Sequence, residues 1–207
     1  KARAIAGDVE LGHRLLDELA PWLYRRYLMR ADISGLIALK RRIERHAATT
    51  ERKSRSGELG GIRGSNLKLG FGGIRDIEYA IQFLQLLHGA EQPEVRAPAT
   101  LEAIDRLQTA GCITAGEQAL LEENYRFLRK VEHYLQIMFN QQTHSLPEDA
   151  DEFENLASRI QTTEASPVDA AHSLSEKLVE CTRQNRQILD HLLHNAFANH
   201  DADEQLL

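Results

Sequence analysis

Lys68, Arg75, Asp76 and Glu78 crowd one junction, where a glycine-rich run passes straight into an amphipathic segment in Lys68-Leu69-Gly70-Phe71-Gly72-Gly73-Ile74-Arg75-Asp76-Ile77-Glu78-Tyr79. The first N–H groups of a helix lack intrahelical partners and sit at the positive end of its dipole. Glycines without side chains let a ligand come close to the backbone. Two cations, the Gly70, Gly72 and Gly73 backbone and a helix start together suit a phosphate or carboxylate, with Asp76 and Glu78 as orienting groups.

At 3.6 residues per turn, Arg75, Glu78, Gln82 and Gln85 share one face of the helix that follows, and Ile74, Ile77, Ile81 and Leu84 share the other. A later helix carries a comparable stripe of Arg126, Arg129, His133, Gln136 and Asn140, continued by Gln141, Gln142, Thr143, His144 and Ser145. Either stripe alone also describes an ordinary solvated face, with Arg75 and Glu78 as an i,i+3 pair. Facing each other across a cleft, the two would line a polar groove for a nucleotide or peptide. Arg25-Arg26 and Lys40-Arg41-Arg42 are further phosphate candidates, although they read more readily as exposed basic helix turns.

Other chemistries find no support. Gly60-Gly61-Ile62-Arg63-Gly64 lacks the strand–turn–helix setting of a dinucleotide loop, and no Walker A pattern exists. The two cysteines, Cys112 and Cys181, are far apart, and the nine histidines show no zinc spacing, so no metal ligand is assigned and the thiols read as free in a reducing compartment. A formal charge of −6 argues against wholesale nucleic-acid binding. No apolar run approaches the roughly 20 residues of a membrane span, and no signal peptide is recognised. These readings place the chain in the cytoplasm.

The elements that must position these residues are helical. The 207 residues are 42% hydrophobic and 27% charged, with few aromatics and only five prolines. Charge is basic from Arg25 to Arg55 and acidic after Pro147. Helices are expected over 8–28 (Leu11, Leu15, Leu16, Leu19, Leu23 and Tyr27 inward, with Pro21 as a break or kink), from 32 to about 48, and over 73–88. Others are expected over 98–110, over 114–141 with a Thr114/Glu117 capping box, over 149–160 and over 166–198. Seven of the thirteen glycines lie in 57–73, read as a loop or as a short hairpin pairing 59–62 with 66–69. The expectation is an all-α fold: one bundle of six to seven helices over 1–198 and a frayed tail over 199–207. The opening Lys1-Ala2-Arg3 reads as a piece of a longer chain.

The Lys68–Tyr79 motif, followed by Gln82, Leu84, Gln85, Leu86 and Gly89, resembles the glutamine synthetase adenylyltransferase/adenylyl-removing enzymes. Lys1-Ala2-Arg3 with Gly7-Asp8 and Pro21-Trp22-Leu23-Tyr24-Arg25-Arg26-Tyr27-Leu28 is similar to the segment after that family's nucleotidyltransferase core. Phe127-Leu128-Arg129-Lys130-Val131-Glu132-His133 and Gln141-Gln142-Thr143-His144-Ser145-Leu146-Pro147 are similar to its later helical signature, so the resemblance covers about residues 1–160. The family joins two units, each an α/β core and a helical bundle. One transfers AMP from ATP to a tyrosine of glutamine synthetase, and the other removes it by phosphorolysis, giving ADP. The wording here looks more like the AMP-removing, N-terminal unit.

The resemblance implies Mg²⁺ and ATP/ADP as cofactors of the parent, and glutamine synthetase and the PII signal protein as partners. The family's metal-binding acids, in a Gly-Ser … Asp-x-Asp arrangement, are missing, so no catalytic residue is expected in this chain and the acids are expected upstream. Lys68, Gly70, Gly72, Gly73, Arg75, Asp76 and Glu78 are the nucleotide-side candidates. Arg25, Arg26, Gln82, Arg129, His133 and Gln142 are secondary ones. The alternatives are the helical region of PII uridylyltransferase, which has a related Gly-Gly-Leu-Arg-Asp-Ile phrase, and a non-catalytic docking module for glutamine synthetase or PII.

Overall fold

Ile74, Ile77, Ala80, Ile81 and Leu84 recur at helical spacing and are all buried, so the helix after the glycine-rich run enters the centre of the molecule. The computed structural model describes residues 2–25, 62–160 and 166–204, with 35 and 38 as isolated helical positions. Its α-helices are α1 (Val9–Leu23), α2 (Ile74–His88), α3 (Thr100–Thr109), α4 (Ala115–Phe139), α5 (Ala150–Ile160) and α6 (Pro167–Glu204), with a 3₁₀ turn at Pro93–Val95. No sheet occurs among the described residues; the only strand-like pairing is a single bridge between Asn66 and Ser145. The fold is an all-α bundle.

Each helix starts and stops for a local reason. Thr114 caps α4 and Glu117 answers it, with the Thr114 hydroxyl accepting from Glu117 N at 3.2 Å and Thr114 N donating to Glu117 Oε2 at 2.8 Å. Asn140, in the left-handed region, ends α4. Asp8 caps α1, accepting from Leu11 N at 2.9 Å. Pro21 neither breaks nor bends α1 out of helix. It sits in the last turn, and Tyr24 closes the helix by donating to Ala20 O. The part of the first helix expected beyond residue 25, most of the helix expected from 32, and residues 59–61 of the expected hairpin lie outside the described residues.

α2, α4, α5 and α6 share one core with α3, built on Leu107, Leu121, Leu128, Leu135, Phe153, Leu156, Leu174 and Leu178. α6 runs to Glu204, past the expected bundle end at 198. One expectation fails at the surface. Leu11, Leu15, Leu19 and Leu23 of α1 are exposed, because no other described helix packs along that face. α1 reaches the bundle at its C-terminal end, where the Arg96 guanidinium lies 4.4 Å from the Tyr24 ring centroid. Leu120 is also exposed, at the rim of α4.

Candidate functional site

The glycine-rich run folds as a closed loop that pairs with a distant segment. Leu67 N donates to His144 O and Leu146 N to Ser65 O, at 2.8 and 2.9 Å, so 65–67 lies against 144–146. The next residues turn tightly. Asn66 Oδ1 accepts from Lys68 N and Leu69 N, and Asn66 O accepts from Gly70 N. The loop then returns onto its own start, with Ile74 N donating to Leu67 O at 2.9 Å and Arg75 N to Lys68 O at 3.1 Å. This last bond sets the backbones of Lys68 and Arg75 side by side.

Gly72 and Gly73 are present because nothing else fits. Gly72 has φ +71°, and a Cβ there would lie 1.9 Å from the Thr182 carbonyl oxygen of α6. At Gly73 a Cβ would lie 2.4 Å from Leu67 O. Gly72 O accepts from Asn185 Nδ2 at 2.8 Å, and Gly72 N donates to Asp76 Oδ2 at 2.8 Å. Gly73 N donates to Gly70 O, and Asp76 N to Gly73 O. The amides read from sequence as anion donors are therefore engaged within the loop; Gly73 is the N-cap of α2, and Asp76, in its first turn, reaches back to accept from Gly72 N. What remains for a ligand is side-chain charge. Arg75 is exposed, Lys68 is half-buried, and neither has a charged partner among the described residues.

A second cluster joins α2 to α4. Tyr125 Oη donates to Glu78 Oε1 at 3.0 Å, and Arg129 reaches the same oxygen through Nη2 at 3.1 Å. Arg129 also donates to Tyr125 Oη and, through Nη1, to Glu132 Oε2 at 2.7 Å. Burial works against the guanidinium's charge, but its bonds to Glu132 and Tyr125 outweigh that and hold its pKa above the ordinary value. Glu132, only 5% exposed, meets His144 Nδ1 at 2.7 Å through Oε1. The two atoms are close but lack the alignment of a hydrogen bond.

The two polar stripes thus meet at Glu78 and Arg129. Glu78 pairs with Arg129, where i,i+3 spacing had suggested Arg75. Gln82, His133 and Gln142 are exposed and take no part in this network. Gln85 is a correction: it is buried, and its Nε2 donates to Val95 O at 2.7 Å and Ala97 O at 2.8 Å, fixing the α2–α3 connector. Arg25 is exposed beside Trp22, its Nε donating to Trp22 O at 3.4 Å, and Arg26 lies outside the described residues. Sequence reasoning missed Asn185 and Asn124, whose side chains bond at 2.9 Å under the loop. Polar residues on otherwise apolar helix stripes were the signal.

No described group of His, Cys, Asp and Glu is arranged to hold a metal ion. Asp76, Glu78 and Glu132 are each committed to protein donors.

The glycine-rich loop and the α2–α4 cluster fall inside the match to a family model described as GlnD PII-uridylyltransferase, which spans residues 38–193. The chain belongs to that family. Among relatives of this GlnD PII-uridylyltransferase family member, the bifunctional glutamine synthetase adenylyltransferase/adenylyl-removing enzyme of Mesorhizobium japonicum is 38% identical over 180 residues, covering 87% of this chain and 17% of its own length. The enzyme of the same name from Brucella suis is 41% identical over 153 residues, covering 74% of this chain and 15% of its own. That from Agrobacterium fabrum is 37% identical over 183 residues, covering 88% and 17%. The chain therefore spans about a sixth of the length of these curated relatives.

Proposed function

We propose that this chain is the helical companion of a nucleotidyltransferase core, in an enzyme that transfers AMP from ATP to a tyrosine of glutamine synthetase and removes it by phosphorolysis. The observation that carries the reading is the Arg75 N–H to Lys68 O bond at 3.1 Å, which sets the backbones of two cationic residues side by side, Arg75 exposed and Lys68 half-buried. A pair of cations on a rigid loop suits a phosphate group. Lys68 and Arg75 would form one wall of the nucleotide site. Asp76 holds the loop closed behind them, and Glu78 ties their helix to Arg129.

Mg²⁺ does not fit this chain's described carboxylates, none of which are grouped to hold a metal ion, so its ligands are assigned to the core and no step is derived through it. ATP and ADP would meet this chain through the Lys68 and Arg75 side chains. PII is the proposed signalling partner, and the cytoplasm the proposed compartment. No described helix is long and apolar enough to cross a membrane. The relatives named above favour the glutamine synthetase enzyme. A uridylyltransferase acting on PII is the second reading, favoured by the description of the family model.

The test is to introduce Lys68→Ala and Arg75→Ala into the parent enzyme and assay transfer and removal of AMP. Loss of one activity or both supports the reading, and full retention of both contradicts it.

A further inference from the structure

Leu69 and Phe71 are 40% and 46% exposed on the same loop that presents Lys68 and Arg75. Large apolar side chains on a slack loop fold back onto the protein. Here they cannot, because the backbone is pinned on each side. Gly70 N donates to Asn66 O, Gly72 is held by Asp76 and Asn185, and Gly73 N donates to Gly70 O. The apolar surface continues onto α6. Val179 is 48% exposed one turn before Thr182, whose carbonyl abuts Gly72, and the Arg186 guanidinium lies 5.7 Å from the Phe71 ring centroid. Two apolar anchors on a pre-ordered loop, flanked by cations, form a docking knob with little left to order on binding.

We infer that Leu69 and Phe71 seat this domain on the catalytic core of its own parent chain, in an apolar socket with an acidic or phosphate-bearing rim. The inference rests on the proposed function, and one observation together with that reading selects the occupant. About five-sixths of the relatives' length lies outside the matched region, so a large intrachain surface is available. The flanking charges, Lys68 and Arg75, are the groups that reading turns toward the core's nucleotide. Seating the knob between them fixes their approach to a phosphate, which a cation on a loose surface would lack.

Amine-reactive cross-linking of the full-length parent, read by mass spectrometry, tests this with Lys68 as the native probe. Lys68 should link to lysines outside residues 1–207. The double variant Leu69→Ser/Phe71→Ser should lower the yield of those links roughly tenfold, as truncating interface anchors does. Links from Lys130 and Lys177 should stay unchanged, along with the helical circular dichroism signal. Unchanged Lys68 links in the folded variant would overturn the inference, as would links confined to residues 62–204. Links between isotopically distinguished copies would overturn it in favour of self-association. An inactive parent with intact, anchor-dependent Lys68 links would sink the proposed function and leave the docking surface standing.

Discussion

Asn185 of α6 donates to the Gly72 carbonyl at 2.8 Å while its Oδ1 accepts from Asn124 of α4 at 2.9 Å, so one side chain fastens the glycine-rich loop to two helices. Asn185 is 2% exposed, and a buried amide with all these groups paired rigidifies what it joins. Asn185→Leu leaves the Gly72 carbonyl and the Asn124 amide without this partner. It should cost about 2–3 kcal/mol, read as a lower urea midpoint.

Gly72→Ala should be more damaging than an average glycine replacement. The added Cβ would meet the Thr182 carbonyl at 1.9 Å, in a backbone conformation that L-residues avoid. α6 would have to move away, at a cost of at least about 3 kcal/mol. Gly111→Ala is the control: its φ is +74°, but a Cβ there meets nothing within 4 Å, so only the smaller backbone strain of about 1 kcal/mol should appear in the unfolding curve.

Gln85→Glu should create a pH-dependent loss. The native amide donates to two carbonyls, those of Val95 and Ala97, whereas an ionised carboxylate offers them only acceptors. The fold would then favour the protonated acid and raise its pKa. The difference from wild type should be smallest below the ordinary glutamate range and grow as pH rises through neutrality, to about 2–3 kcal/mol. Parallel melting curves at acid and neutral pH give that difference directly.

Cys181 should behave as a buried thiol. Burial, opposed only in part by the Asn185 hydrogen bond, pushes its pKa up to about 12 from 9.0. A raised pKa means stability that is complete below 9.0 and lost as pH climbs toward about 12. At neutral pH native Cys181 should resist a thiol reagent until the protein unfolds, while the half-buried Cys112 reacts first; mass spectrometry of partly labelled protein distinguishes the two.

Glu132→Ala should cost more than Glu78→Ala, although both acids bind Arg129. Glu132 is 5% exposed and also meets His144, whereas the Glu78 side chain is 23% exposed. Because the Arg129 side chain is itself 43% exposed, water can take up part of what is lost. The expected costs are about 2 kcal/mol for Glu132 and under about 1 kcal/mol for Glu78, measured by chemical denaturation.

Much of the fold was legible because helix signals are local. Ile74, Ile77, Ile81 and Leu84 announce α2, and Thr114 with Glu117 marks the start of α4 to the residue. Gln85 was misread because a helical wheel records direction but not what stands there; two carbonyls from the connector need a donor at that place. Nor could spacing show that Asn66 pairs with Ser145, or that the loop amides are already engaged, since those partners come from turns and from far along the chain. At this junction the glycine amides are spent on partners within the loop and its helix. The available groups are the Lys68 and Arg75 side chains rather than the glycine backbone.

Arg75 is proposed to meet a phosphate in the assembled enzyme. The most direct test is steady-state kinetics of the parent carrying Arg75→Ala or Arg75→Lys, with ATP varied in AMP transfer and inorganic phosphate varied in AMP removal. The expected result is a fall in kcat/KM of about tenfold or more in at least one direction for Arg75→Ala, partly restored by Arg75→Lys. Wild-type kcat/KM in both directions for a folded Arg75→Ala enzyme would contradict it.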